Sequence, residues 1–160
     1  MEVEEQTIAL RAISYGLYVL TSSSGGVLGA AAVNWLSQVS FQPRLVAMAV
    51  GTENENYPLI VASGTFAVNV VGEGQLDIAR DFFRGSTLEG STLNGHPFEL
   101  SPKAGCPLLV ELPYWFEARV VDSLKRGDHR LFVGQVIGGG VRDSEAAPLP
   151  LRSTGLDYGG

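Results

Sequence analysis

Sulfur, imidazole and positive charge are all scarce in this chain. Its 160 residues carry one cysteine (Cys106), two histidines (His96 and His129), and 11 lysines and arginines against 17 acids. A single cysteine excludes an internal disulfide and cannot form a thiolate cluster. With two histidines as the only imidazoles, no dedicated metal site, zinc or haem, is expected. The net charge of −6 leaves little basic surface for neutralising phosphates, which argues against nucleic acid and anionic membranes as partners. No apolar run approaches bilayer length, and the opening MEVEEQ is acidic where a signal peptide is basic. A cytoplasmic location is the default expectation.

Several signatures are missing too. The glycine clusters Gly72-Glu73-Gly74 and Gly138-Gly139-Gly140 do not fit the dinucleotide fingerprint, and no Walker phosphate loop is present. No nucleophile elbow accompanies a Ser-His-Asp order. Cys106, between Gly105 and Pro107 ahead of an apolar run, reads as a buried structural thiol rather than a nucleophile.

What is present suits one soluble globular domain over 1–160, with 45% hydrophobic and 18% charged residues. The 20 glycines are scattered as turn and close-approach positions. The pattern predicts a short amphipathic helix over 4–16 and a hairpin of strands 17–21 and 27–33 around the Ser-Ser-Ser-Gly-Gly turn. An irregular polar segment follows over 34–44. A buried strand is predicted at 45–50, a helix at 57–63 stopped by Gly64, a strand at 66–71 and a second helix at 75–84. Residues 85–97 read as loop and 108–112 as strand. A long hairpin of 115–124 and 129–137 is then interrupted by the three glycines. The proline- and glycine-rich tail 148–160 should pack on another surface. Hairpin-connected strands with a few short helices indicate a mainly β, antiparallel barrel.

Four places carry polar groups suited to a ligand. Asn34, Trp35, Ser37, Gln38 and Ser40 cluster just after a barrel strand, where amides and hydroxyls can read the edge of a flat heterocycle and indole can pack on it. On spacing alone this also fits an ordinary surface loop with a half-buried tryptophan, the commoner case. Asn54 and Asn56, before Tyr57, sit where a helix begins, a position that serves as a cap or gathers a phosphate. Glu53 and Glu55 oppose the phosphate reading unless they point away. Arg80 and Arg84 suit either a phosphate or a solvated basic face. His129, in Gly127-Asp128-His129, suits a nicotinamide contact or a polar strand start.

Taken in order, ISYGLYVLTS (13–22), AAAVNWLSQVSFQPRLVAMAV (30–50), SGTFAVNVV (63–71), GDHRLFVGQVI (127–137) and LRSTGLDYGG (151–160) resemble the flavin reductase-like family of FMN-binding split-barrel proteins. Its members include flavoredoxins, archaeal ferric reductases and the flavin domain of high-molecular-weight rubredoxins. The resemblance implies a six-stranded antiparallel split β-barrel flanked by short α-helices, working as a homodimer with flavin near the subunit interface. Asn34, Trp35, Ser37 and Gln38 match the stretch along the isoalloxazine and ribityl chain, and Ser40 a hydroxyl position at its end. Asn54, Asn56 and Tyr57 match the phosphate-binding loop, with amides where hydroxyls are usual. Phe83 and Arg84 match a Phe-Arg pair near the cofactor, and His129 the histidine near the nicotinamide.

The activity so implied is electron transfer from NAD(P)H to bound FMN (FAD being possible), then to free flavin, ferric iron, oxygen or a redox partner protein. The cofactors carry that chemistry, so no acid–base pair is required of the protein. The alternative is an FMN electron carrier of flavoredoxin type, reduced by a partner protein without direct NAD(P)H oxidation. A third reading is a flavin-binding module without turnover.

Overall fold

A computed structural model describes residues 2–160. The elements, in chain order, are α1 (Glu2–Arg11), β1 (Tyr18–Ser24), β2 (Val27–Val33), β3 (Leu36–Ser40), β4 (Leu45–Gly51), α2 (Asn56–Ser63), β5 (Thr65–Val70) and α3 (Leu76–Arg80). They continue as β6 (Leu88–Glu89), β7 (Thr92–Leu93), β8 (His96–Leu100), β9 (Pro107–Leu109), β10 (Tyr114–Arg126), β11 (His129–Val141) and a 3₁₀ turn at Leu151–Thr154. The fold is mainly β with short helices, and its main sheet is antiparallel. That sheet has seven strands where six were expected, in the order β2-β1-β5-β10-β11-β4-β3. Its end strands do not pair with each other, so the barrel is split rather than closed. Among the described residues no helix is long and apolar enough to cross a membrane.

Local chemistry sets the hairpins. Gly25 and Gly26, with φ of 57° and 81°, supply the left-handed pair that a tight two-residue turn needs between Ser24 and Val27. At the other hairpin, Gly127 opens a two-residue turn that sets Arg126 opposite His129. Strand alternation then fills two cores. Leu20, Met48, Phe66, Val68 and Phe132 pack inside the curled sheet with Ile60 of α2. Val19, on the other face of β1, joins Phe82, Leu93, Leu112, Leu149 and Leu151 in a second cluster. The tail thus packs on its own barrel.

The structure corrects several boundaries. Residues 34–44 hold strand β3, because Leu36 turns into the core while Ser37 and Gln38 pair across to Ala47 and Val46. Residues 85–97 hold β6, β7 and the start of β8, within a separate four-stranded sheet. The glycines 138–140 do not break β11. They face bulky partners on β10, and a Cβ on Gly138 would lie 2.6 Å from the buried Glu117 carboxylate. Helix α1 ends at Arg11 and buries no residue, so Ile8 and Leu10 stay exposed. Helix α2 ends as expected on Gly64, φ 72°, whose N–H donates to the Ile60 carbonyl at 2.8 Å. Helix α3 is shorter than predicted, and Phe82 beyond it is buried.

Candidate functional site

A pocket of about 870 Å³ opens between the β2–β3 connection, the loop after β4, the segment 83–85, the start of β11 and the C-terminal tail. That volume lies within the range of small-molecule and cofactor sites. Its position follows from register. His129 pairs with Gly51, and the carbonyl of Trp35 accepts from the Ala49 N–H at 3.0 Å, so Trp35 and His129 come together over β4. Their ring centroids are 4.6 Å apart.

His129 is held from both sides. Its Nδ1 lies 2.7 Å from the Asp128 carboxylate and its Nε2 lies 3.1 Å from the Tyr158 hydroxyl. A carboxylate only accepts, so Nδ1–H donates to Asp128, and in the neutral ring Nε2 then accepts from the phenol. The bond from His129 holds the Asp128 carboxyl below the ordinary carboxylate range. Burial, reinforced by the Asp128 charge, pushes the Tyr158 phenol up and so keeps it a proton donor. The Tyr158 ring meets Trp35 edge-on at 5.1 Å. Trp35 carries the one orphan among the described residues: its indole N–H is buried and has no acceptor.

Arg84 and Phe83, both exposed, also line the pocket, as does Asn54 on the loop after β4. Among the described residues Arg84 takes no part in an ion pair. Glu53 and Glu55 also line the pocket and so do not point away from it, but the Glu55 carboxylate is already taken by hydrogen bonds. It accepts from the Ala30 N–H at 3.0 Å and from the Ser86 N–H and hydroxyl at 2.8 and 2.5 Å, which ties the segment after Arg84 to the outer edge of β2.

Of the residues singled out from sequence, Asn34, Trp35, Asn54, Phe83, Arg84 and His129 share this pocket. Ser37 and Gln38 line a second cavity of about 350 Å³ beside Arg44 and Phe116. Ser40 pairs with Leu45 beyond a bulge, and its carbonyl accepts from the Gln38 side chain. Asn56 is fully buried. It accepts from the Ser22 hydroxyl at 2.5 Å and donates to the Leu20 carbonyl at 3.0 Å, so it ties α2 to β1. Tyr57 packs on Phe132, and its hydroxyl accepts from Arg130. Sequence reasoning did not assign Asp128 or Tyr158 to the site. Asp128 adjoins His129 in the turn, but nothing local in the tail placed Tyr158.

Comparison with known proteins bears on the same scaffold. Residues 10–158 match the family described as flavin reductase like domain. A ferric-chelate reductase (NAD(P)H) of Archaeoglobus fulgidus is 32% identical over 152 residues, covering 91% of this chain and 85% of that protein. A probable flavin reductase of Rhizobium meliloti is 30% identical over 130 residues, 80% of this chain. This chain spans 40% of the rhizobial protein's length and 24% of that of a cyanobacterial diflavin flavoprotein from Synechocystis. The NADH:FAD oxidoreductase of Streptomyces globisporus, solved in complex with NAD and FAD fragments, superposes with a TM-score of 0.78 at 24% identity. That alignment covers 93% of this chain and 87% of the other. At that identity the structural match speaks for the fold.

Proposed function

The chain belongs to the flavin reductase-like family, and from that premise we propose that it is an NAD(P)H-dependent reductase that holds FMN in the pocket between Trp35, His129 and Arg84. The observation that carries this reading is a pair of unpartnered donors at one pocket: an indole N–H without an acceptor and an arginine without a carboxylate partner. A flavin presents what each of these lacks, namely ring carbonyls for the indole N–H and a phosphate for the guanidinium.

Bound flavin supplies the redox chemistry; the chain supplies orientation and charge. Asn34 and Trp35 read and pack the ring system. Arg84, with Asn54 at the same pocket, takes the phosphate. Glu55 keeps Arg84 in place by anchoring Ser86 and does not compete for it. His129, fixed by Asp128, aligns the nicotinamide against the flavin, and alignment of two reactants is worth a large part of such a barrier.

We also propose a homodimer. The outward face of β11 and β10 carries Leu131 and Leu124, both exposed, and across β4 the edge strand β3 carries exposed Val39, with the 87%-exposed Phe41 in the turn after it. A second copy of the same surface fits such a face. Equilibrium sedimentation at micromolar concentration checks this; a monomer there removes the dimer from the reading.

The test of function is a visible spectrum of the purified protein with FMN or FAD added, followed by NADH or NADPH without oxygen. A bound flavin band that bleaches with either nicotinamide is the expected result. Protein that gains no flavin band refutes the proposal. A band that bleaches with dithionite alone assigns the electron-carrier role instead.

A further inference from the structure

The tail is firmly anchored up to a point and lightly held beyond it. Leu149 and Leu151 are each 8% exposed and sit in the second core. The chain turns at Gly155, φ 73°, and its last residues run back across the pocket. Leu156 still packs, half-buried, against the second core, and only the residues after it are lightly held. The Tyr158 hydroxyl meets His129 at 3.1 Å, its carbonyl lies 3.5 Å from the Asn34 side-chain amide, and the Gly159 carbonyl accepts from Arg11 at 3.1 Å. Arg11 belongs to α1, which buries nothing. Tyr158 itself is 52% exposed. With the tail in this place the Trp35 N–H is buried and unpartnered, which disfavours the arrangement relative to one that gives it an acceptor.

What Tyr158 does there has the chemistry of a ligand. It sets a flat ring against Trp35 and a donor on the acceptor nitrogen of His129. A nicotinamide with its carboxamide N–H, or a flavin with its imide N–H, offers the same pair of features. Resting on the flavin reading of this pocket, we propose that Tyr158 is a displaceable gate. Its ring and hydroxyl hold the place that a planar heteroaromatic ring bearing an N–H donor takes in the loaded protein. Such a ring enters only as the residues beyond Leu156 swing out. Closure therefore lowers apparent affinity by the fraction of molecules in which the tail is shut.

The experiment uses the full chain with Trp115→Phe, which leaves Trp35 as the only tryptophan of the two. FMN and NAD⁺ are titrated separately, with no turnover, into this protein and into its Tyr158→Ala and Tyr158→Phe versions. Binding is read from Trp35 emission. Hydrogen exchange of residues 155–160 is followed in the parent with and without each ligand. Tyr158→Ala is expected to tighten one of the two ligands roughly three- to tenfold, and the same ligand should speed exchange of the tail in the parent. Tyr158→Phe, which keeps the ring and loses the bond to His129, should fall between. The ligand that tightens names the ring that shares the tyrosine's place. Truncation after Leu156 repeats the test without a substitution. Unchanged or weakened binding of both ligands in Tyr158→Ala overturns the gate alone. Absence of binding of either ligand to any version overturns the flavin reading, and the gate with it.

Discussion

The two histidines of the chain are both bracketed, and the brackets differ in kind. His96, at the start of β8, has Glu111 on Nδ1 at 2.7 Å and Asp81 on Nε2 at 2.8 Å. Both partners are acceptors, so both ring nitrogens donate and the ring is a cation. Burial works to lower its pKa, but the bonds to Asp81 and Glu111 outweigh that and raise it. His129 has a carboxylate on one nitrogen only and a phenol donor on the other. One ring is thus a charged strut between α3, the small sheet and the loop before β10. The other keeps an acceptor lone pair at the wall of a pocket. The same residue type is structural where two frame elements claim both its edges, and available for chemistry where one edge is left to a removable partner.

The sharpest way to break that contrast is to remove each ring in turn. His129→Ala should lower kcat/KM for the nicotinamide about a hundredfold through lost alignment, while Tm moves by no more than about 2 °C. Unchanged nicotinamide oxidation would sink the assigned role. His96→Ala should do the reverse. Its carboxylate partners are partly exposed, so the strut contributes about 1–2 kcal/mol after allowance for screening, or about 3–6 °C in Tm. Turnover at saturating flavin should stay within about twofold; a larger fall would mean that the strut reaches the site.

A pH series sharpens the same point with a smaller effect. The folded-state pKa of His96 is raised above the usual 6.5. Its stabilisation is therefore full below that value and is lost as pH rises through the folded value. The Tm gap between the parent and His96→Gln should be wider near about pH 5.5 than near about pH 9. A gap that grows with pH would reverse the assignment of charge. Smallest of all is Asp128→Asn, which loosens the tautomer of His129 without removing the ring. A loss of about three- to fivefold in kcat/KM is expected, with KM carrying most of it. A loss as large as that of His129→Ala would make the carboxylate, and not the ring, the operative group.

How legible these features were depends on whether the deciding neighbour is near in sequence. Both long hairpins follow from their turns, and Gly64 marks the end of α2 from the residues beside it. Strand β3 was hidden because its exposed Ser and Gln residues look like loop; it is a strand only because β4 offers it a partner. The glycine run of β11 looks like a break until Trp115 and Glu117 are set opposite it. At the site, Asn34, Trp35 and His129 lie in the resembling segments and Asn54, Phe83 and Arg84 between them, and all six line one pocket. Asn56 and Tyr57 part from them because the first turn of α2 points both at the barrel. Ser37 and Gln38 part from them because β3 carries its residues past the pocket to the second cavity. Tyr158 was out of reach: its place depends on where a tail with almost no periodicity comes to rest.

The main sheet has one stopped edge and one open one. Along β2 the outward N–H groups of Ala30 and Ala32 are taken by the Glu55 carboxylate and the Phe82 carbonyl at 3.0 Å each, so no further strand can add there. The other border, β3, has β4 on one side and, among the described residues, no strand on its other side. Strand-by-strand growth needs two free borders per molecule. Within the main sheet only one is free, so strand addition there ends after a single pairing, border to border about a two-fold axis. The acid that ties down the arginine's segment thereby also closes one border of the main sheet to further strands.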